Sequence, residues 1–185
     1  RRMRLADLTT LRVGGDAASV VAPETSAELV EAVREVWASG DELLVLGGGS
    51  NVVISDDGFD GTVVHVATRG IERIDGGEGR ARLRIAAGEP WDAVVAYSVE
   101  NGWAGIEALS GIPGSSGAAP IQNIGAYGQE VASSLVSIEF LDYLTGEFEV
   151  IPVSRLGLDY RTSILKRGRQ GLVASIELEL SDQTA

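Results

Sequence analysis

Apolar residues change their period several times along this chain, and each change predicts an element. The apolar stretch Ala18 to Ala22 reads as a strand. Leu29, Val30, Val33, Val36 and Trp37 then recur at helical spacing. Thr25, with Glu28 three positions later, forms a capping-box signal at the front of that helix, and Gly40 ends it. The unbroken apolar run Leu43 to Leu46 reads as a buried strand that opens directly into Gly47, Gly48, Gly49, Ser50 and Asn51. Apolar residues return at Val52, Val53 and Ile54, and Thr62 to Val66 reads as a further strand. These elements predict a small β-α-β-β lobe ending near residue 68.

A second lobe opens with the alternating strand Arg82 to Ile85, followed by a helix whose Trp91, Val94, Val95 and Val99 share one face and which stops at Gly102. Leu135 to Tyr143 and Glu147 to Val153, joined at Thr145-Gly146, read as a hairpin. In the last strand Leu172, Ala174, Ile176, Leu178 and Leu180 point inward against Ser175, Glu177 and Glu179 outward. Asp75 to Gly79 reads as a hairpin turn rather than a linker, so this lobe is expected to be mainly antiparallel.

Between the elements lie two glycine-rich segments. Residues 111–128, GIPGSSGAAPIQNIGAYG, carry no charge and return to apolar Ile112, Ile121 and Ile124. Glycine lets a ligand approach the main chain closely, and Pro113 and Pro120 reduce the freedom lost on ordering. Such a run suits a nest of N–H donors around an anion; the plainer alternative is a buried connection between two elements. Strand into glycines at residues 47–51 is likewise a phosphate-binding geometry. It is neither of two familiar ones, because no Lys followed by Ser or Thr comes after Gly49, and Val52 stands where a dinucleotide fingerprint needs Gly or Ala. No Lys or Arg occurs between Arg84 and Arg155, so an anion held there is held by dipoles.

Composition narrows the partners. The 185 residues are 44% hydrophobic, enough for the core of one domain that can divide into two lobes. A net charge of -12 disfavours nucleic acid and anionic membrane and leaves a small molecule as the expected ligand, with no obligate protein partner evident. There is no cysteine and one histidine, His65, so no metal site is expected. No window approaches the roughly 18 apolar residues of a membrane span, and the N-terminus lacks the apolar run of a signal peptide, so a cytoplasmic location is expected.

Four segments in order, LTTLRVGG at Leu8 to Gly15, LGGGSN at Leu46 to Asn51, the run Ile112 to Glu130, and DYRTSILK at Asp159 to Lys166, together resemble the UDP-N-acetylenolpyruvoylglucosamine reductases (UDP-N-acetylmuramate dehydrogenases). These are the flavin oxidoreductases of peptidoglycan precursor synthesis. The resemblance covers nearly the whole chain and implies an α+β, two-lobed FAD-binding fold of the vanillyl-alcohol oxidase and p-cresol methylhydroxylase (PCMH) type. It places lobe one at about residues 1–68 and lobe two at about 69–185.

The resemblance also implies a site. Gly47, Gly48, Gly49, Ser50, Asn51 and Val52, with Pro113, Gly114, Ser115, Ser116, Gly117 and Ala118, would wrap the diphosphate of a non-covalent FAD from opposite lobes. Gln122, Asn123, Gly125, Ala126 and Tyr127 would run beside the flavin ring and the substrate opening, where Tyr127, Tyr160 and Arg161 meet the nucleotide-sugar substrate. His65 lies in the strand TVVHV, away from either loop, and reads as a packed or edge-strand histidine rather than a flavin attachment point.

The implied reaction takes hydride from NADPH to FAD and from flavin N5 to the β-carbon of an enolpyruvyl ether, leaving an enolate to be protonated at the α-carbon. Arg161 matches the arginine credited with holding that enolate, and Tyr160 would help position it. On residue type alone, Arg161 is more readily a surface ion pair with Asp159 or a neighbouring Glu; the motif reverses that reading.

The family also uses a serine proton donor and a glutamate in a substrate-binding domain after the FAD domain, and the chain reaches Ala185 before either, so it reads as a fragment lacking full activity. Ser115, Ser116, Ser163, Glu177 and Glu179 are not substitutes for them. The alternative is a non-catalytic flavin- or nucleotide-binding module of the same fold. A third reading is an oxidase of the wider fold.

Overall fold

A computed structural model describes residues 3–183. They form two compact units that divide between Thr68 and Arg69. In the first, β1 (Met3–Arg4), β2 (Asp16–Val21), α1 (Ser26–Ser39), β3 (Leu43–Leu46) and β4 (Phe59–His65) follow one another, and the sheet order is β1-β2-β4-β3. β4 runs parallel to both β2 and β3, aligning Val63 with Val20 and Leu44, while β1 is antiparallel to β2.

The capping box forms as the sequence predicts. Thr25 Oγ1 accepts the Glu28 N–H at 3.2 Å, and the Glu28 carboxylate accepts the Thr25 N–H at 3.2 Å, which satisfies two amides that the first helical turn leaves unpaired. Gly40 takes the left-handed conformation, φ 76°, that stops the helix. Leu29, Val33 and Val36 are buried.

β3 departs from expectation. It is an edge strand with only Leu46 buried, because it pairs with β4 alone. An uninterrupted apolar run predicts cover on both faces, and an edge strand with one open side does not receive it.

In the second unit, β5 (Ile71–Ile74) and β6 (Arg80–Ala86) lead into α2 (Trp91–Glu100). The short strands β7 (Trp103–Ala104), β8 (Gly125–Ala126) and β9 (Gln129–Glu130) come next, then β10 (Leu135–Asp142), β11 (Phe148–Pro152) and β12 (Gly171–Asp182). The main sheet is ordered β11-β10-β12-β6-β5 with β7 also paired to β12, and every pairing in it is antiparallel. β12 alternates as predicted only from Ser175 onward: Ile176, Leu178 and Leu180 are buried in the core, while Glu177 pairs with Arg84 at 2.9 Å and Glu179 with Arg82 at 3.2 Å on the opposite face. Before that a register shift against β10 reverses the phase, so Val173 joins the core cluster in place of the expected Leu172 and Ala174, which are buried outside it.

The core side of that sheet carries Ile85, Ile138, Phe140 and Ile176 in one cluster with Trp91, Val94, Leu109 and Leu156. The indole N–H of Trp91 donates to Leu109 O at 3.2 Å, so even this buried ring keeps its polar edge satisfied. The buried face of α2 is Trp91, Val94, Val95 and Ser98, whereas Val99 is 55% exposed. Position 98, seven residues after Trp91, is closer to the centre of the stripe than position 99. Ser98 sits there without an unpaired hydroxyl because its Oγ donates to Val94 O at 2.8 Å.

Candidate functional site

In the first unit, the loop after β3 interlocks with residues 8–15. Thr10 N–H donates to Gly49 O at 3.0 Å, and Gly49 has φ 64°. A Cβ at position 49 would lie 2.0 Å from Leu8 O, so only glycine allows this approach. Thr9 Oγ1 donates to Val13 O at 3.1 Å and closes the turn that carries Arg12, itself left-handed with φ 55°. Among the described residues, the N–H groups of Gly47, Gly48 and Gly49 have no acceptor, although Gly49 is buried. Three successive donors, one of them in a buried residue and unpaired among the described residues, suit an anion. Val52 packs on the small core of this unit with Leu5, Ala17, Leu46 and Val63.

His65 is not remote from this loop. The parallel register sets it opposite Leu46, the residue before Gly47, at the end of an interior strand.

The glycine run of the second unit is stitched to the connection between β6 and α2. Ser116 N–H and Oγ both donate to Glu89 O, at 2.8 and 2.9 Å, and Gly117 N–H donates to Ala87 O at 2.8 Å. Ala118 N–H donates to Ser115 O at 3.1 Å. A Cβ at Gly117 would meet Ala87 Cβ at 2.6 Å. These amides build the scaffold, and among residues 114–118 the N–H groups left without a described acceptor are those of Gly114 and Ser115. Pro113 precedes them, and Gln122 follows in a series of turns that includes Asn123 N–H to Pro120 O at 3.4 Å.

Beyond that run, two tight turns of the same unit come together. β8 and β9 form a hairpin closed by Tyr127 and Gly128, with φ 49° and 80°, and Tyr127 is 95% exposed. Asp159 and Thr162 exchange main-chain hydrogen bonds of 3.2 Å, which leaves Tyr160 and Arg161 at the tip. Arg161 has φ 52°, and its guanidinium lies 5.5 Å from the Tyr160 ring centre.

Four bonds join the turns, one of them from Asn123 Nδ2 to Asp159 O at 3.1 Å. Arg161 Nη1 donates to Asn123 O at 3.1 Å, Arg161 Nη2 donates to Gly125 O at 2.6 Å, and buried Ser163 Oγ donates to Ile121 O at 2.6 Å. The ion pair that residue type alone favoured does not form: Asp159 instead accepts the Tyr160 N–H at 2.7 Å, and among the described residues no carboxylate pairs with Arg161.

The structure therefore gathers Asn123, Gly125, Ala126, Tyr127, Tyr160 and Arg161 in one patch of the second unit. All four non-glycine residues with positive φ among those described, Arg12, Asn123, Tyr127 and Arg161, fall in the segments that carry the family resemblance. Each such conformation costs of order 1–3 kcal/mol and is kept where the surroundings enforce it. Sequence reasoning missed Ser163 and the side-chain role of Asn123 as braces. A signal existed for Asn123, since Asn is the residue other than Gly that most readily adopts left-handed backbone.

Other concavities have different chemistry. A cavity of about 760 Å³ in the first unit is lined by Asp16, Asp56, Asp57 and Asp60 with Arg4, and one of about 630 Å³ beside α1 by Glu24, Glu28, Glu31 and Glu35. Carboxylate walls repel phosphate. Among the described residues no group of three or more acids or histidines could hold a metal, and no helix is long and apolar enough to cross a membrane.

Unpaired main-chain donors at a glycine loop fit the diphosphate of a dinucleotide cofactor, and the sequence profile of the FAD binding domain family matches residues 17–151. The chain belongs to that family of flavin-binding domains. Among particular proteins, it is 61% identical over 180 residues to the UDP-N-acetylenolpyruvoylglucosamine reductase of Leifsonia xyli, covering 97% of this chain and 48% of that protein. It is 51% identical over 178 residues to the reductase of the same name from Saccharopolyspora erythraea, covering 96% and 49%.

The crystal structure of the UDP-N-acetylenolpyruvylglucosamine reductase of Thermus caldophilus superposes with a TM-score of 0.79 at 32% identity, over 98% of this chain and 62% of that one. A solvent-stable cholesterol oxidase, at TM-score 0.58 and 15% identity over 91% of this chain and 36% of its own, shares the fold. The fold is thus the α+β FAD-binding type expected from the sequence. The chain spans about half the length of the curated relatives it matches.

Proposed function

We propose that this chain is the FAD-binding part of an NADPH-dependent cytoplasmic reductase that converts UDP-N-acetylglucosamine enolpyruvate to UDP-N-acetylmuramate for peptidoglycan synthesis. The observation that carries the reading is Arg161: a guanidinium held in place by two main-chain carbonyls, with no carboxylate partner among the described residues. Its charge is positioned but not neutralised by any described residue.

FAD, when bound, supplies hydride taken from NADPH. Within the first unit the N–H groups of Gly47, Gly48 and Gly49 would donate to its diphosphate; within the second, the N–H groups of Gly114 and Ser115 have no acceptor among the described residues. Arg161 has five N–H groups and two are engaged by Asn123 O and Gly125 O, which leaves three for an anionic substrate group. A donor fixed in advance strengthens as negative charge grows on the enolpyruvyl carboxylate and costs no reorganisation during reaction. Tyr160 and Tyr127, both exposed, offer ring faces and hydroxyls to the nucleotide sugar.

The proton for the α-carbon comes from elsewhere. Ser116 Oγ and Ser163 Oγ donate to main-chain carbonyls, and Glu177 and Glu179 pair with arginines. The serine and glutamate that the resemblance calls for would belong to the part of the reductase that this chain does not match in its longer relatives.

Substituting Arg161→Ala in the complete flavin-loaded protein tests the proposal. Loss of one such donor lowers turnover roughly 10²- to 10³-fold, and flavin content should be unchanged. Unchanged turnover would leave the chain a flavin-binding module without the assigned chemistry, and a chain that neither carries nor takes up FAD would refute the cofactor assignment.

A further inference from the structure

We infer that Asn123 is a positioning residue that keeps the Arg161 guanidinium available to an anion by holding the carboxylate of Glu130 away from it. The inference rests on reading Arg161 as the anion-facing group and concerns how that state is maintained.

Two carboxylates flank Arg161. Asp159 is occupied by the Tyr160 N–H at 2.7 Å. Glu130 is the serious competitor: a Cβ built on Gly125 would lie 3.0 Å from Arg161 Nη1 and 3.0 Å from Glu130 Cγ, so the two side chains face each other across a residue without one. Opposite charges in that arrangement attract, yet they form no ion pair. The Glu130 carboxylate accepts a hydrogen bond from Asn123 Nδ2 at 3.1 Å instead.

Asn123 is itself over-determined. It is 1% exposed and left-handed at φ 47°. Its Nδ2 also donates to Asp159 O at 3.1 Å, and its Oδ1 accepts the Ala132 N–H at 3.2 Å. Its main-chain carbonyl holds Arg161 Nη1. One buried amide thus anchors the arginine through its backbone and the competing acid through its side chain. Removing only the side chain frees Glu130 while the carbonyl remains, so Glu130 should swing onto the guanidinium and block it.

Phenylglyoxal modification of Arg161 in the full chain, followed by peptide mass spectrometry, reads this directly, because a guanidinium paired with a carboxylate reacts more slowly. Asn123→Gly keeps the left-handed backbone and should slow modification roughly two- to five-fold, the range for a partly exposed ion pair. Adding Glu130→Gln should restore the original rate. Glu130→Gln alone should leave it unchanged.

A brace of purely structural importance gives the opposite sign, since a loosened turn exposes Arg161 and speeds its modification. A faster or unchanged rate in Asn123→Gly, or no restoration in the double variant, overturns the inference. If Asn123→Gly fails to fold, Glu130→Gln alone still decides: a faster rate would show that Glu130 already screens Arg161 with Asn123 in place. The measurement needs neither flavin nor turnover. The predicted pattern in a chain that takes up no FAD would therefore keep this inference and sink the proposed function, and flavin uptake without the pattern would do the reverse.

Discussion

Gly49→Ala, compared with Gly40→Ala, isolates the steric demand at the first glycine loop. Both glycines lie in the first unit and both are left-handed, with φ 64° and 76°. A Cβ at position 40 meets nothing within 4 Å, so that substitution carries only the conformational penalty of about 1–2 kcal/mol. At position 49 the new atom would lie 2.0 Å from Leu8 O and 2.9 Å from Thr9 Cα. Both obstacles are main chain and cannot rotate away, which adds roughly 1–3 kcal/mol of overpacking for a total of about 2–5 kcal/mol.

Hydrogen exchange of the β4 amides, read by mass spectrometry, reports opening of this unit. Gly40→Ala should lower their protection about 5- to 30-fold and Gly49→Ala roughly thirtyfold or more, at about 1.4 kcal/mol per factor of ten. FAD uptake should fall in Gly49→Ala and persist in Gly40→Ala. Equal loss of protection in the two variants would refute the reasoning, because it would mean that the Leu8 contact exerts no force.

Further outcomes follow from the same geometry. Tyr127→Gly removes a side chain that is 95% exposed and relieves its left-handed φ of 49°, so stability should rise by about 0.5–1 kcal/mol while substrate binding by the complete protein weakens; a lower denaturation midpoint would contradict this. Trp91→Ala, at a site 1% exposed, should cost about 3–5 kcal/mol in denaturant titration, and Trp91→Phe much less, since it loses mainly the bond to Leu109 O.

Acid should erode the second unit in a defined way. The N–H of Thr145, with Arg169, holds Asp142 below its ordinary value of 3.8, and a hydrogen bond from Arg169 holds Glu149 below 4.5. A depressed carboxylate pKa contributes stability that is complete above the ordinary value and is lost as pH falls through the lower folded value. The denaturation midpoint should therefore decline from about pH 4.5 downward. Asp142→Asn with Glu149→Gln should flatten that decline, and an unaltered acid limb would show that the pair contributes nothing.

The features legible in the sequence are those that periodicity and capping encode. Thr25 and Glu28 fixed the start of α1, and the alternation in β12 identified its faces from Ser175 to Leu180 but not across the register shift before it, which periodicity does not encode. Ile71–Ile74 gave no usable signal because two charges, Glu72 and Arg73, fill the middle of a four-residue strand. Val99, expected on the apolar face, gives way there to Ser98 because a helix stripe is set by angle, and a serine that bonds to its own helix is accepted in it.

Glycine content marked both loops as backbone open to close approach, and at Gly49 and Gly117 it is the protein's own chain that approaches. That content could not distinguish amides left open, as at residues 47–49, from amides engaged internally, as at residues 116–118, since that depends on which carbonyls fold against them. The partners of Arg161 are main-chain oxygens, which no residue type announces.

The interlock of Gly49 with Leu8 and Thr10 limits how this domain can be re-engineered. Since each segment is the mould for the other, a glycine loop grafted from a cousin would arrive without its counterpart unless residues 8–15 travelled with it. Chimeras should be cut so that both pieces come from one parent.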